Sequence, residues 1–186
     1  MSAVLTAEHL TIKLPPGADR PYAVEDVSFT LNPHEILCIV GESGSGKSIS
    51  AHAIMGLLPE GVEPAGGAIR YAGRDLLQLT DPQLRSLRGQ RIGMIFQEPM
   101  AALNPLMRVE DQIAEVFEAH GLLTPSERRA RAVKLLDEVG IPDPPKAAKA
   151  FPFQMSGGQR QRVVIAMALA LEPEILIADE PTTALD

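Results

Sequence analysis

The chain has 186 residues, a formal net charge of −7, and 45% hydrophobic against 22% charged residues. This length suffices for one sizeable hydrophobic core. The acidic balance argues against a nucleic-acid partner, which would favour a basic face. The longest apolar run, residues 163–171, is about half as long as a membrane span, and the first residues lack the basic region of a secretory signal.

The N-terminal part of the chain predicts a β-sheet followed by a strand–turn–helix unit. Residues 3–14 and 22–31 show β-like alternation, and PPGADRP between them is typical of a turn. Residues 35–40, EILCIV, form a compact apolar run that predicts a buried strand, in which the only cysteine, Cys38, is expected to be buried. After a glycine-rich turn, residues 47–58 have helical spacing.

The middle of the chain changes from strand patterns to helix patterns. GGAIRY and RIGMIF predict two further short strands. Residues 106–121 and 125–140 predict amphipathic helices that each end in a glycine, and residues 141–154 read as a proline-rich connector. Residues 156–173 then predict a mostly buried helix, and residues 174–179 a buried strand. Strands on both sides of a helical stretch indicate an α/β core with a helical insertion.

A phosphate-binding motif follows the predicted strand at residues 35–40. GESGSGKS satisfies the pattern G-x-x-x-x-G-K-[ST] between a strand and a helix. Its glycines let backbone N–H groups surround phosphate oxygens, and the helix start adds its positive end. The alternative is a glycine-rich turn that binds nothing. The candidate nucleotide-binding residues are Gly41, Ser43, Gly44, Ser45, Gly46, Lys47 and Ser48, with the Ser48 hydroxyl available to Mg²⁺.

Two further segments carry candidate chemistry. Asp179, after the last predicted strand, could hold a metal through its water shell, and Glu180 could orient or deprotonate an attacking water; the alternative is an acidic exit from a strand. Ser156 and Gln159 have the spacing of a helix capping box. The two glycines between them weaken a helix start without structural need, which favours an anion-binding role in addition to the cap.

Together these motifs resemble those of ABC-type ATPases. MSGGQRQR is similar to the family's signature, usually written LSGGQ, with Met155 as a departure. GESGSGKS precedes it and ILIADE follows it in the family's order. FQEPMAALNP, residues 96–105, resembles the family's Q-loop and is closest to that of peptide and nickel importers. The resemblance implies an α/β P-loop NTPase core with an N-terminal antiparallel β subdomain and an inserted α-helical subdomain.

The resemblance also implies roles for individual residues. Gln97 would contact Mg²⁺ and the attacking water, and Asp179 would also bind the metal. Asp186 would lie in the D-loop between subunits, and Tyr22 would stack on adenine, although a tyrosine at a strand start is an equal alternative. The signature would close over ATP held by a second ATP-binding subunit, identical or related, through Ser156, Gly157, Gly158 and Gln159.

The domain limits follow from the same resemblance. Residues 1–186 would form one ATP-binding domain, with the β subdomain and P-loop core at 1–97, the helical insertion at 98–160 and the return to the core at 161–186. A family member continues to a switch histidine, whereas no histidine follows His120. We therefore expect an N-terminal piece of a longer protein, or an open reading frame cut short, that lacks the C-terminal part of the core. Such a chain would bind nucleotide weakly, turn it over slowly if at all, and have marginal solubility.

The expected function is ATP hydrolysis that powers solute import, of peptides or nickel, through permease subunits that contact the helical insertion. The protein would lie in the cytoplasm on the inner face of the cell membrane. Two alternatives remain open. An ABC-type ATPase of DNA repair or translation has no permease partner but tends to carry coiled-coil insertions or duplicated cassettes, and neither is found here. A nucleotide-binding fragment without turnover is the other.

Overall fold

The computed structural model describes residues 3–97 and 102–180. The chain divides into two compact units, Met1–Arg85 and Ser86–Asp186. The subdomain limits expected at residues 97 and 160 stay predictions. Among the described residues, no helix combines the length and apolar character that a membrane crossing requires.

The first unit contains an antiparallel sheet in the order β2-β1-β3-β4. Its strands are β1 (Leu5–Lys13), β2 (Tyr22–Leu31), β3 (Glu63–Tyr71) and β4 (Arg74–Asp75). Four side chains of β1 are buried: Leu5 and Ala7, then Leu10 and Ile12. Within each pair the residues alternate, because successive residues of a strand point to opposite faces, and the pairing with β2 is irregular between Ala7 and Leu10. The sheet expected in this part of the chain is confirmed.

Helix α1 (Lys47–Met55) packs against β2 and against a 3₁₀ turn at Leu76–Gln78. It begins where the sequence predicts and ends at Gly56, whose φ of 62° is left-handed. A second helix, α2 (Asp81–Leu87), follows the 3₁₀ turn. This helix was not predicted, because its short and largely polar sequence shows no apolar stripe.

The predicted strand at residues 35–40 is wrong. The segment has no strand pairing and every residue in it is exposed, including Cys38. Ile36 and Val40 are each 91% exposed. A strand forms only where neighbouring backbone accepts and donates its hydrogen bonds, and none of the described strands pairs with this segment. The apolar run therefore contributes exposed apolar surface rather than core.

Two isoleucines of the first unit allow a direct test of this exposure. Ile36→Ala is expected to change the free energy of unfolding by less than about 0.5 kcal/mol, as exposed substitutions do. Ile69→Ala is the matched control, because Ile69 is 0% exposed in β3 and truncation of a buried isoleucine costs about 2–5 kcal/mol. Urea denaturation followed by circular dichroism measures both values. Equal losses at the two positions would contradict the exposed placement of Ile36.

The second unit combines a parallel strand pair with a helical cluster. Strands β5 (Ile92–Ile95) and β6 (Ile175–Ala178) pair in parallel, with Ile92 opposite Ile175. The helices are α3 (Val109–Ala119), α4 (Pro125–Glu138), α5 (Pro144–Ala148) and α6 (Gly157–Leu169). Side chains from all four helices form one buried cluster, which includes Val109, Ile113, Leu135, Leu136, Ala148, Val163 and Val164.

Local signals fix the ends of these helices. Thr124 and Glu127 form a capping box at the start of α4. Gly121 and Gly140 follow α3 and α4 with φ of 66° and 72°, as glycine helix ends predict. The region expected to be only a connector, residues 141–154, contains α5 and a 3₁₀ turn at Pro152–Gln154.

The start of α6 is anchored to the end of α4. The Arg162 guanidinium donates hydrogen bonds to the carbonyl oxygens of Val139 (3.1 Å) and Gly140 (2.7 Å). The last carbonyls of a helix have no partner within it, so Arg162 satisfies acceptors at the end of α4. This contact fixes the first turns of α6 against the helical cluster.

Candidate functional site

The glycine-rich loop of the first unit leads directly into α1. Gly44 and Gly46 have φ of 79° and 95°, a region that side chains disfavour. A Cβ at Gly46 would lie 2.4 Å from the Ala23 carbonyl oxygen, so glycine is required there. Gly46 is also the N-cap of α1, and it supplies no side-chain hydrogen bond. No side-chain acceptor at the N-cap therefore competes for the leading amides of α1, which is the arrangement that favours an anion.

Lys47 turns back onto the loop that precedes it. Its Nζ donates hydrogen bonds to the carbonyl oxygens of Gly41 (2.8 Å) and Glu42 (2.9 Å). The loop is closed further by a bond from the Ser45 N–H to the Glu42 carbonyl oxygen, at 3.1 Å. The rest of the motif lies along this loop: Gly41, Ser43, Gly44 and Ser45 are exposed, and Gly46, Lys47 and Ser48 are half-buried.

The turn between β1 and β2 contacts the same loop. Residues 14–21 are closed by a hydrogen bond from the Leu14 N–H to the Pro21 carbonyl oxygen, at 2.9 Å. From this turn, the Arg20 guanidinium donates a hydrogen bond to the Gly44 carbonyl oxygen. Sequence reasoning missed Arg20, since no local pattern indicates a contact across 24 positions. Tyr22, at the start of β2, is 36% exposed and lines an open cleft of about 710 Å³ along this turn.

In the second unit, the acidic pair follows β6 directly. Asp179 is 8% exposed, and its N–H donates to the Ile95 carbonyl oxygen at 3.0 Å. Glu180 is exposed and has a φ of 48°. A left-handed backbone costs a non-glycine residue roughly 1–2 kcal/mol and is found disproportionately at functional sites.

The structure brings two predicted site residues of the second unit together. The side-chain amide Nε2 of Gln97 donates a hydrogen bond to Oε2 of Glu180 at 2.8 Å. Gln97 follows β5 and Glu180 follows β6, and these strands are parallel neighbours. Because the carboxyl ends of parallel strands meet at one edge of a sheet, residues 83 positions apart come into contact there.

The signature segment is a capped helix start. Ser156 Oγ accepts a hydrogen bond from the Gln159 N–H at 3.2 Å, and Gln159 Oε1 accepts one from the Ser156 N–H at 3.0 Å. The capping box predicted from the spacing is thus confirmed. A Cβ at Gly157 would meet no atom within 4 Å, so packing among the described residues does not require glycine there. Gly158 lies in the first turn of α6.

Two sequence predictions lie outside the described residues. Asp186, expected in the D-loop, is one of them. Residues 98–101, within the Q-loop-like stretch 96–105, are the other. Downstream of that stretch, the buried Gln112 holds the turn that precedes α3, donating to the carbonyl oxygens of Asn104 (3.0 Å) and Met107 (2.9 Å). No sequence signal marked Gln112, because a glutamine on an amphipathic helix usually faces solvent.

Comparison with known proteins gives consistent matches along the chain. The ABC transporter family matches residues 24–183. The peptidoglycan transport ATP-binding protein YejF of Agrobacterium fabrum is 50% identical over 98% of this chain and 34% of its own length. The oligopeptide transport ATP-binding protein OppD of Bacillus subtilis is 48% identical over 100% of this chain and 52% of its own. The chain thus spans between about a third and a half of these two relatives.

A solved structure matches the fold over 98% of this chain. The ATP-binding cassette MJ0796, described as a dimer in a post-hydrolysis state with ADP and Pi, superposes with a TM-score of 0.83. It is 32% identical and covers 98% of this chain and 76% of its own. The α/β fold expected from the sequence, with its antiparallel β part and its helical part, is therefore confirmed.

Proposed function

The chain belongs to the ABC transporter family, and from that premise we propose that it binds and hydrolyses ATP to power solute import through a membrane permease. The observation that carries this proposal is the glycine-rich loop before α1. Left-handed glycines, an uncapped helix start and an inward-turned lysine occur together within residues 41–48. This combination suits the phosphate chain of a nucleotide.

Each residue of the loop has a role in this proposal. The backbone N–H groups of Gly41, Ser43, Gly44 and Gly46 surround the phosphates, and the Ser45 N–H would exchange the Glu42 carbonyl oxygen for a phosphate oxygen. Lys47 exchanges the carbonyl oxygens of Gly41 and Glu42, which its Nζ contacts now, for β- and γ-phosphate oxygens. The ammonium gains by this exchange, because hydrogen bonds between charged partners are stronger than bonds to neutral carbonyls. Tyr22 stacks on the adenine.

The acidic pair and Gln97 supply the hydrolytic chemistry. Glu180 orients or deprotonates the attacking water, and Gln97 positions that water through its side chain. Each proposed Mg²⁺-binding group is of a type that this ion prefers. The Ser48 hydroxyl of the first unit and the Gln97 carbonyl oxygen of the second are hard oxygen ligands, and the Asp179 carboxylate would hold the ion through its water shell. The Gln97–Glu180 bond uses the amide nitrogen, which leaves the Gln97 oxygen as the ligating atom. When bound, Mg²⁺ would neutralise developing charge on the phosphates.

The signature segment faces a second ATP-binding subunit in this proposal. Ser156, Gly157, Gly158 and Gln159 close over the γ-phosphate of ATP held by that subunit. The open space at Gly157 supports this role, because a glycine that its own unit does not require leaves room for a close approach from outside. The MJ0796 cassette is described as a dimer, which is consistent with such pairing.

The transported solute is proposed to be a peptide. Relatives such as OppD and the dipeptide transport ATP-binding protein DppD of Bacillus subtilis are named for peptide transport. The helical insertion, residues 98–160, would contact the permease, which places the protein in the cytoplasm against the inner face of the cell membrane. Asp186 would belong to the D-loop that passes between the two ATP-binding subunits.

Nucleotide binding by the 186-residue chain tests the core of the proposal. Equilibrium dialysis with radiolabelled ATP, with and without Mg²⁺, should show saturable binding that unlabelled ATP and ADP displace. Release of labelled phosphate from the bound ATP then reports hydrolysis. Binding that unlabelled nucleotide does not displace would contradict the proposed function.

Replacing Gly157 separates the signature role from helix stability. Gly157→Ala is expected to leave the free energy of unfolding unchanged or to raise it by up to about 1 kcal/mol, since alanine is the better helix former. ATP hydrolysis is expected to fall at least about tenfold, because a methyl group at a closely approached surface misplaces the reacting groups. Gly66→Ala is the matched control, as Gly66 also has no positive φ. If Gly157→Ala hydrolysed ATP at the wild-type rate, the proposed contact between Gly157 and the second subunit would be contradicted.

A further inference from the structure

Two cationic side chains of the first unit, Lys47 and Arg20, donate hydrogen bonds to carbonyl oxygens of the loop at residues 41–48. The acceptors of Lys47 are the carbonyl oxygens of Gly41 and Glu42, and the acceptor of Arg20 is the carbonyl oxygen of Gly44. Within residues 3–97 and 102–180, neither cation has a carboxylate in ion-pair contact. The loop therefore carries two positive side chains whose present partners are neutral.

We propose that Arg20 is a second phosphate-binding cation, which donates to the phosphate chain of the nucleotide held by residues 41–48. This inference rests on the nucleotide binding proposed above and adds a phosphate-binding residue to it. The motif itself does not include Arg20, which enters the site from the turn between β1 and β2.

The backbone of the turn that carries Arg20 is constrained by hydrogen bonds and by prolines. Its ends are joined by the bond from Leu14 to Pro21, and the Ala18 N–H donates to the Pro15 carbonyl oxygen at 3.2 Å. Prolines at 15, 16 and 21 restrict φ and reduce the freedom of the free turn. A preorganised turn loses little entropy when the side chain binds a ligand.

The chemistry of the guanidinium suits this role. It has five N–H donors in a planar fork, and the bond to Gly44 engages only part of that capacity. Phosphate oxygens accept such bonds in pairs, with charge on both partners. A phosphate at the loop would therefore be a better acceptor for Arg20 than the Gly44 carbonyl oxygen, as it would be for Lys47.

A purely structural role for Arg20 predicts a different behaviour. If the guanidinium only fastened the turn to the loop, its loss would weaken nucleotide binding through the shape of the loop. That loss would be independent of ionic strength. A contact between opposite charges at an exposed position is instead screened by salt.

The experiment measures competition for a fluorescent ATP analogue on the 186-residue chain at about 0.05 M and about 0.5 M NaCl, a range over which screening increases strongly. At low salt, Arg20→Ala is expected to lower the affinity for ATP and for inorganic tripolyphosphate by the same factor, about fivefold to tenfold. At high salt the difference from the wild type should shrink toward zero. Arg20→Lys, which keeps the charge, should recover part of the affinity.

Controls make the possible outcomes distinct. Arg70→Ala removes an exposed arginine of the same unit that pairs with Glu8, and it should leave both affinities unchanged. A loss for Arg20→Ala that is equal at both salt concentrations, or one confined to ATP and absent for tripolyphosphate, would overturn the inference. Undiminished binding by Lys47→Ala in the same assay would instead refute the proposed nucleotide site itself.

Discussion

Replacement of Lys47 by alanine is expected to lower the affinity for ATP at least about a hundredfold. Hydrogen bonds to charged groups contribute about 1.5–3 kcal/mol each, and Lys47 is proposed to make them with two phosphates. The variant also loses the bonds from Nζ to Gly41 and Glu42, so the loop itself loses two closing contacts. The measurement is the rise in unfolding temperature with ATP concentration, which reports the dissociation constant through mass action.

The matched control for this variant is Lys13→Ala. Lys13 lies in the same unit and pairs with Glu63 at 2.9 Å in an exposed ion pair, so its removal changes the net charge equally without touching the loop. The unfolding temperature without nucleotide shows whether Lys47→Ala is folded. A folded Lys47→Ala chain with wild-type ATP affinity would be incompatible with phosphate binding by residues 41–48.

Structure that depends on neighbours in sequence was predictable here. The capping box at Ser156 and Gln159 follows from a spacing of three residues, and the structure contains both of its hydrogen bonds. The ends of α3 and α4 follow from their glycines. In each case the interacting groups lie within one helical turn, so the sequence alone determines whether they can meet.

Structure that depends on distant partners was not predictable. Residues 35–40 have the composition of a buried strand, but pairing is a property of two segments, and the described strands do not pair with them. The contact between Arg20 and Gly44 likewise depends on how the turn at residues 14–21 is closed. A single sequence without covarying positions contains no signal for either.

The candidate site shows the same difference between what local sequence predicts and what distant contacts decide. The residue types of the phosphate loop and the acidic pair were identified from motifs, because phosphate and metal chemistry restricts them to a few side chains. The hydrogen bond between Gln97 and Glu180 required the parallel register of β5 and β6. That register places a proposed water-positioning side chain against the proposed base, a relation that neither motif expresses alone.

The register has a consequence for catalysis. The Gln97 amide donates to the Glu180 carboxylate, and this bond occupies one of its oxygens. A carboxylate has further lone pairs, so it can accept a proton from water while the bond persists. Gln97 thus holds the proposed base at a fixed position relative to the end of β5.

Glu180→Gln is accordingly expected to retain ATP but to slow its hydrolysis by about 10²–10⁴-fold, the range that general base catalysis contributes. The substitution preserves the shape of the side chain and an oxygen that can accept from Gln97 Nε2, so the contact at 2.8 Å can persist. The substitution removes the negative charge and, with it, the ability to take a proton. Release of labelled phosphate from prebound ATP measures the rate, and dialysis of the same sample measures the affinity.

Glu174→Gln separates this effect from a general loss of negative charge. Glu174 is exposed, precedes β6 and pairs with Arg91, so its neutralisation changes the same part of the chain without reaching the proposed base. It should hydrolyse ATP at the wild-type rate. If Glu180→Gln also hydrolysed ATP at the wild-type rate, another group would have to activate the water. Of the two acidic residues that follow β6, only Asp179 would then keep a proposed function. If Glu180→Gln instead lost ATP binding together with hydrolysis, Glu180 would act in holding the nucleotide rather than in moving a proton.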